Sequence, residues 1–194
     1  MPVRSSAVAD ESTVANGARR ETAAAYEQYG PALLRYAWQI VGNQEEARDA
    51  VQEAFLRFFV ERRYGRVIEN PRAWLYHVLR NYLLDRLKAN PARRELQKGD
   101  VGALAADKRE NPEELLEQSQ TAREIANALS DREYVCLTLR GEGLSYAEIA
   151  HVMSIRSGTV GALLARAHGK LKRYSDRYEK TGFRGIAKAL LCLG

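Results

Sequence analysis

Residues 130–173 decide the fold class of this chain, and they read SDREYVCLTLRGEGLSYAEIAHVMSIRSGTVGALLARAHGKLKR. The segment from Ser145 to Glu148 has the pattern of a capping box, which predicts the first turn of a helix. A tight turn is predicted at 154–158, and a second helix from Thr159. The apolar residues of this second helix repeat at the spacing of one buried stripe: Val160, Leu164, Ala167 and Leu171.

The exit of the predicted second helix is basic. It lacks acidic residues and holds a series of basic side chains: Arg166, His168, Lys170, Lys172 and Arg173. A helix-turn-helix whose exit has one charge sign is typical of proteins that bind the phosphate backbone of nucleic acids. An ordinary helical hairpin with a solvated basic end is the alternative interpretation.

Charge is distributed unevenly along the 194 residues, whose net charge is +5 and whose pI is about 9.3. Residues 62–88 hold seven basic and two acidic side chains, whereas residues 45–61 hold five acidic and two basic ones. The basic total favours an anionic partner. The asymmetry predicts two surfaces with different partners.

The sequence predicts an all-α fold of two small helical domains joined by a flexible linker, the second domain being the helix-turn-helix. Strand-like alternation is missing from the sequence, and Gly99 and Gly102 lie in a stretch without helical periodicity. The predicted segments are a disordered arm at 1–18, a first domain at 19–91, a linker at 92–111, the helix-turn-helix domain at 112–174 and a tail at 175–194.

Three helices are predicted in the first domain, at about 20–41, 44–61 and 71–90. We expect the first to be kinked or restarted at Gly30-Pro31. Asn43 has the character of an N-cap for the second helix. Asn70-Pro71 begins the third, where the missing N–H of proline does no harm.

The second helix has an acidic face opposite its apolar side, formed by Asp49, Gln52, Glu53 and Leu56. Acids and an amide around an exposed leucine suit a protein partner that offers basic residues and a small apolar socket. A solvated acidic face without a partner is the alternative.

The third helix and the loop before it combine cations with aromatic rings. Tyr76, His77, Arg80, Asn81 and Lys88 share a polar arc, and the loop holds Arg62-Arg-Tyr-Gly-Arg66. Single-stranded nucleic acid requires cations for its backbone and ring faces for its bases, each stack contributing about 1–3 kcal/mol. Such a surface could hold a flipped base. A basic solvated face with core aromatics is the alternative.

Several segments resemble the extracytoplasmic-function (ECF) sigma factors, the branch of bacterial sigma factors with regions 2 and 4 only. Residues 29–37, 42–56, 71–76, 80–81 and 85–87 resemble the second conserved region of that family. Residues 129–133, 143–150 and 158–160 resemble its fourth. The similarity covers about residues 24–90 and 112–173, with a weak linker between.

The resemblance implies partners and site residues. It implies that the acidic face of Asp49, Gln52, Glu53 and Leu56 docks on the clamp coiled coil of core RNA polymerase, whose flap is a further contact. It implies that promoter DNA is held as a single strand at the downstream element by Arg62, Arg63, Tyr64, Arg66, Asn70, Arg72, Trp74, Tyr76, His77, Arg80 and Asn81. It implies that the duplex upstream element is read by Arg156, Ser157, Thr159, Gly161, Ala162, Arg166 and Lys170. An anti-sigma protein that wedges between the two domains is a further partner of many members.

One departure from the family pattern falls in the reading helix. After Gly158-Thr-Val160 the family usually continues with lysine, serine and arginine, whereas this chain has Gly161, Ala162 and Leu163 at these groove-facing positions. We therefore expect upstream recognition to depend on Arg156, Ser157, Thr159 and Arg166 and on DNA shape. Arg156 replaces a small capping residue, which leaves Ser157 as the expected cap.

The sequence offers little support for catalysis, a cofactor or a metal site. Its three histidines lack an i, i+4 partner, and Cys136 lies in an apolar helical pattern that predicts a buried side chain. The apolar runs are too short to insert in a membrane, so we expect a cytoplasmic protein. We also expect that the protein is not an enzyme. Two alternatives remain: a helix-turn-helix regulator with a helical sensor domain, and a sigma-like adaptor that reads DNA poorly.

Overall fold

The computed structural model describes the backbone of residues 5–89 and 127–178, and the side chains of 13–89 and 127–173. The described residues form six helices and no strand, which confirms the all-α prediction. The predicted linker at 92–111 lies outside them, as does the tail from residue 179. The helices are α1 (Ser5–Val41), α2 (Gln44–Arg63), α3 (Pro71–Ala89), α4 (Asp131–Gly141), α5 (Tyr146–Met153) and α6 (Ser157–Tyr178).

Helix α1 begins at Ser5, so the prediction of a disordered arm over residues 1–18 is wrong for its helical part. Alanine is frequent here, and alanine has the most favourable helix propensity. Further along, Tyr26 packs its ring edge-on against Phe55 at 5.0 Å between centroids, and Glu21 forms an ion pair with Arg62. These contacts attach α1 to α2 directly after the predicted arm.

Helix α1 also continues through Pro31, where the sequence analysis expects a kink or a restart. A proline removes one backbone hydrogen bond and disfavours the helix at that point. Directly after it, Leu33, Tyr36 and Ala37 are completely buried. Their packing against α2 and α3 offsets the lost hydrogen bond and keeps one helix on the core.

The first three helices enclose one apolar core. Asn43 caps α2 as predicted, because its side-chain oxygen accepts from the N–H groups of Glu45 (2.9 Å) and Glu46 (3.0 Å). The side-chain oxygen of Asn70 accepts from Ala73 N–H at 3.0 Å, at the predicted start of α3. The buried side chains of α2 and α3 include Val51, Phe55, Phe58, Leu75, Leu79 and Leu83.

Helices α4, α5 and α6 form the C-terminal module, and its helix-turn-helix follows the predicted pattern. The capping box of Ser145 and Glu148 is present, and Ser154 ends α5 in the left-handed conformation with φ 53°. The stripe predicted for α6 is buried in full: Val160, Leu164, Ala167 and Leu171. Cys136 is buried as expected, and burial raises the pKa of its thiol to about 11.

The start and the end of α6 differ from the expectation. The helix begins at Ser157, so Arg156 stands at the capping position and its carbonyl accepts from Thr159 and Val160 N–H. The prediction that Ser157 is the cap is therefore wrong. The helix ends at Tyr178, four residues into the predicted tail.

A buried carboxylate, that of Glu133, connects α4 to α6. It accepts from Ser130 N–H at 2.8 Å in a second capping box and from Lys170 Nζ at 2.7 Å. These hydrogen bonds, that of Lys170 first, lower the pKa of Glu133 to about 2. Lys170 thus has a structural partner within its own module, which sequence proximity did not reveal.

We predict that Glu133→Gln destabilises the protein at neutral pH by about 1–3 kcal/mol, because glutamine keeps the capping pattern but loses the charged hydrogen bond. The folded pKa lies below the ordinary value of 4.5. The unfolded state therefore binds more protons at acidic pH, and wild-type stability falls as the pH decreases from about 4.5 towards 2.

Urea unfolding of both proteins between pH 7 and pH 3 measures this dependence. The gap in unfolding free energy between wild type and Glu133→Gln should narrow over the acidic part of the range. Glu27→Gln, which changes an exposed carboxylate on α1, is the matched control. A gap of the same size at every pH would contradict the assignment.

Candidate nucleic-acid interface

The four residues predicted to bind a protein partner lie on one side of α2, and we call them the acidic ridge: Asp49, Gln52, Glu53 and Leu56. Leu56 is 55% exposed, which is unusual for a leucine beside a well-packed core. Glu53 is partly buried and pairs with Arg57 at 2.8 Å. The acidic ridge therefore has the exposed leucine and acidic surroundings that the sequence analysis predicts.

The loop between α2 and α3 is open to solvent at its centre. Tyr64 is 80% exposed and Val67 is 81% exposed. Gly65, between them, has φ 75°, a left-handed conformation that glycine adopts readily. Arg62 donates to the Arg66 carbonyl at 2.6 Å, which ties the loop back on α2. Arg63 remains exposed, so the loop presents a ring, an apolar side chain and a cation together.

Tyr76 is completely buried, which corrects its predicted place on the polar arc of α3. Its ring meets that of Tyr36 edge-on at 5.3 Å, and neither hydroxyl has a partner within the described parts of the chain. Burial raises the pKa of both phenols. Trp74 is partly buried and packs on Phe58 at 5.8 Å. Tyr76 lies at the edge of the apolar side of α3, and other helices cover that edge.

The cover comes from the C-terminal module. Arg72 Nη1 donates to the Gly143 carbonyl at 3.3 Å, and Nη2 donates to the Glu142 carbonyl. Asn70 Nδ2 donates to Glu148 Oε1 at 3.1 Å. These contacts place the turn before α5 directly on the beginning of α3, across two domains that the sequence analysis treats as separate.

Two further contacts extend this interface. Arg35 Nη2 lies 2.8 Å from Glu142 Oε2, and His77 Nδ1 donates to the Val152 carbonyl at 3.3 Å. We call the whole set the clasp: Arg35, Asn70, Arg72 and His77 of the N-terminal module with Glu142, Gly143, Glu148 and Val152 of the C-terminal module.

Inside the clasp His77 lies between two neighbours. A carbonyl only accepts, so Nδ1 donates to Val152, and Nε2 lies 3.0 Å from Asn81 Nδ2. Arg80 is partly buried and its Nε has no partner among the described residues. The predicted single-strand residues of α3 are therefore brought together, but each is at least partly covered.

The predicted reading surface of α6 is only partly as expected. Arg156, Ser157 and Ala162 are exposed, and Thr159 and Gly161 are partly buried. Arg166 is exposed and donates to the Ala162 carbonyl at 3.2 Å. Leu163, in contrast, is 4% exposed and belongs to the core, so its predicted groove-facing position is wrong. Its position beside Leu164 places it at the edge of the buried stripe.

Tyr146, which the sequence analysis does not select, lies beside this surface. It is the first residue of α5 and is 47% exposed. A Cβ atom built on Gly161 would stand 3.8 Å from its ring. Tyr146 is thus a long exposed side chain next to positions whose own side chains are minimal. The available signal was its place in SYAE, in the first turn of α5 directly after the Ser145 cap.

The sequence comparisons identify the family. Sigma-70 region 2 matches residues 25–93, and sigma-70 region 4 matches residues 119–171. Each region covers one of the two helical modules, in the order found in sigma factors. The chain belongs to the ECF RNA polymerase sigma factor family.

Three curated relatives show how far the similarity extends. The chain is 32% identical over 154 residues to the ECF sigma factor BldN of Streptomyces coelicolor, covering 76% of this chain and 58% of that protein. It is 29% identical over 162 residues to SigE of Mycolicibacterium smegmatis, covering 78% of this chain and 60% of that protein. It is 28% identical over 165 residues to EcfG of Rhodopseudomonas palustris, covering 83% and 90%. The chain thus spans less than two thirds of the first two relatives.

None of the helices in the described part of the chain combines the length and the apolar character that crossing a bilayer requires. The same residues contain no group of three or more His, Cys, Asp or Glu side chains placed to hold a metal ion.

The burial of Tyr76 gives a testable prediction. Tyr76→Ala should lower the unfolding free energy by about 3–5 kcal/mol, because it opens a cavity in the core. Tyr76→Phe should leave stability unchanged or raise it slightly, since the deleted hydroxyl has no partner in the described residues.

Chemical denaturation of both variants and wild type gives these values. Tyr64→Ala, which removes a solvent-exposed tyrosine ring, is the control and should change stability little. A Tyr76→Ala variant as stable as wild type would place the ring at the surface, as the sequence pattern suggested.

Proposed function

We propose that this chain is a transcription initiation factor that binds core RNA polymerase, directs it to specific promoters and helps to open the DNA there. The observation that supports this most strongly is the presence of sigma-70 regions 2 and 4 in one chain, in that order. The chain acts by binding, and the polymerase performs the chemistry. Its proposed location is the cytoplasm, where bacterial polymerase and DNA are found.

The acidic ridge is the proposed polymerase site. Leu56 supplies an apolar anchor, and Asp49 and Gln52 surround it with acceptors for a basic partner. Interfaces commonly gain most of their affinity from such a central anchor. These three side chains are exposed while the clasp is closed, so polymerase can reach them first.

The loop and the beginning of α3 are the proposed site for the non-template strand. Tyr64 offers an exposed ring on which a base can stack, and Arg63 offers a cation for the backbone. The remaining residues of this proposal are Arg62, Arg66, Asn70, Arg72, Trp74, His77, Arg80 and Asn81. The buried ring of Tyr76 contributes by shaping the core below them.

The beginning of α6 is the proposed reader of the upstream duplex element. Arg156, Ser157 and Thr159 lie at a helix N-terminus, where backbone N–H groups favour a phosphate. Arg166 follows on the exposed side of the helix, with the small Gly161 and Ala162 between. Lys170 is tied to Glu133 and contributes to the field more than to direct contacts.

A sigma-like adaptor is the second candidate function, and it has one specific observation in its favour. Gly161 has no side chain, Ala162 carries only a methyl group, and Leu163 is buried. An adaptor would bind polymerase but discriminate weakly between upstream elements. An anti-sigma protein remains a proposed partner of either form.

Polymerase binding gives the direct test of the acidic ridge. Leu56→Ala should weaken binding to core RNA polymerase by about 5- to 30-fold, the usual range for an interface anchor. Asp49→Asn should weaken it by a smaller factor, because an exposed charge contributes mainly to steering.

Val14→Ala and Glu45→Gln are the matched controls, since they make the same types of change at exposed positions outside the acidic ridge. Equilibrium binding of labelled core enzyme to each variant supplies the constants. The proposed site would be refuted if Leu56→Ala bound core enzyme as tightly as wild type does, or if the wild-type chain did not bind core enzyme.

Upstream recognition gives a second test. Tyr146→Ala should reduce discrimination between upstream-element variants by about 1 kcal/mol, because its ring is the long side chain beside Gly161. Tyr146→Phe should retain it, and Ala162→Ser should change it little. Binding of duplex variants to the assembled holoenzyme measures the effect. Discrimination that disappears on changing Ala162 but not Tyr146 would contradict this view of the surface.

A further inference from the structure

The clasp satisfies a particular set of hydrogen-bond donors. The guanidinium of Arg72 lies against two backbone carbonyls, those of Glu142 and Gly143. The side-chain amide of Asn70 donates to the Glu148 carboxylate, and His77 donates to the Val152 carbonyl. Every donor belongs to the N-terminal module, and every acceptor belongs to the C-terminal module.

The acceptors match the chemistry of nucleic acid. Phosphate oxygens and base carbonyls accept from guanidinium, amide and imidazole groups in the same way as carboxylates and peptide carbonyls do. Asn70, Arg72 and His77 are also members of the proposed single-strand site. One set of donors therefore cannot serve the C-terminal module and a DNA strand at the same time.

We propose that the surface at the beginning of α3 formed by Asn70, Arg72 and His77 is a shared binding surface, occupied by the C-terminal module of the same chain until single-stranded DNA replaces it. This inference rests on the proposed function. The C-terminal module is the second occupant of the proposed single-strand site. DNA can bind there only after the two modules separate.

Arg35 supports this proposal because it has a role in the clasp alone. Its guanidinium makes a two-point contact with Glu142, at 2.8 Å and 3.4 Å. Glu142 keeps only 11% of its side-chain exposure in this contact. Arg35 lies on α1, outside the residues proposed to hold DNA, so it serves to recognise the C-terminal module.

The turn before α5 is shaped for this contact. Gly143 adopts φ 79°, a conformation that residues with a side chain rarely take. A Cβ atom there would stand 3.5 Å from the Arg72 guanidinium, so the backbone approaches Arg72 closely. The carbonyls of Glu142 and Gly143 consequently both reach one arginine.

Opening the clasp retains the capping box of α5 and uncovers Tyr76 of α3. Glu148 caps α5 through Ser145 and contacts Asn70 with its other carboxylate oxygen. Separation breaks the contact with Asn70 and retains the cap. The polar contacts between the modules are exposed or partly buried, and such contacts are individually weak. Relative motion of domains is common for interfaces within chains.

The occupancy of the clasp sets the apparent DNA affinity. If about one tenth of the free chain is open, the single strand binds about tenfold more weakly than to the open form alone. Polymerase bound at the acidic ridge and along the C-terminal module would hold the modules apart and remove this tenfold reduction in DNA affinity.

The test uses the full chain with the double substitution Glu142→Gln and Glu148→Gln. Both glutamines keep the side-chain length, and glutamine is compatible with the capping box of α5. Arg35→Gln is a second variant that opens the clasp from the other side. The control combines Glu27→Gln with Glu45→Gln, which removes the same charge at exposed positions away from α3.

Small-angle X-ray scattering measures the separation of the modules, and fluorescence anisotropy measures the affinity for a labelled single-stranded oligodeoxynucleotide of mixed sequence. Circular dichroism verifies that each variant is folded. Both opened variants should have a larger radius of gyration than wild type and bind the oligonucleotide about tenfold more tightly. The control should match wild type in radius of gyration. Its oligonucleotide affinity should rise only slightly, because two negative charges are removed.

Opened variants that do not expand, or that expand without any gain in oligonucleotide affinity over the control, would overturn the proposal. If polymerase binding persists in that case, the proposed function stands and only the shared surface is wrong. A chain that binds neither polymerase nor the oligonucleotide, in wild-type or opened form, would refute the proposed function and the shared surface together.

Discussion

The guanidinium of Arg72 donates to two peptide carbonyls of another module, those of Glu142 and Gly143, and the arrangement of the molecule depends on this contact. The buried apolar side chains of both modules belong to one continuous core cluster, so apolar packing acts across the interface as well as within each module. Arg72 and the neighbouring ion pair of Arg35 fix which face of α3 the helix-turn-helix covers. The interface thereby decides which functional surfaces are open and which are covered.

The proposed binding surfaces differ in exposure, and this difference suits the order of events in initiation. The acidic ridge on α2 and the tip of the loop around Tyr64 are accessible, whereas the beginning of α3 is covered. A chain built in this way would engage polymerase first and DNA afterwards. Polymerase bound at the acidic ridge would favour the separated arrangement if it binds that arrangement more tightly, because a ligand shifts a conformational equilibrium by its difference in affinity for the two states.

The sequence predicted what local chemistry determines. The caps at Asn43 and Ser145 and the buried stripe from Val160 to Leu171 follow from spacing alone, and all are confirmed. The errors at Tyr76 and Leu163 arise at the edges of helical faces, where neighbouring helices decide burial. The partner of Lys170 and the clasp join residues distant in sequence, and spacing holds no information about them. The motifs were sufficient to indicate the family. The covering of α3 by the C-terminal module could be seen only in the structure.

In vitro transcription with purified core RNA polymerase tests the central claim most directly. A promoter template would be chosen by mapping transcript starts in cells that overproduce the chain. We expect that adding the chain to core enzyme produces transcripts from one defined start, and that core enzyme alone does not. Stable binding to polymerase without any initiation at that start would contradict it and would favour the adaptor instead.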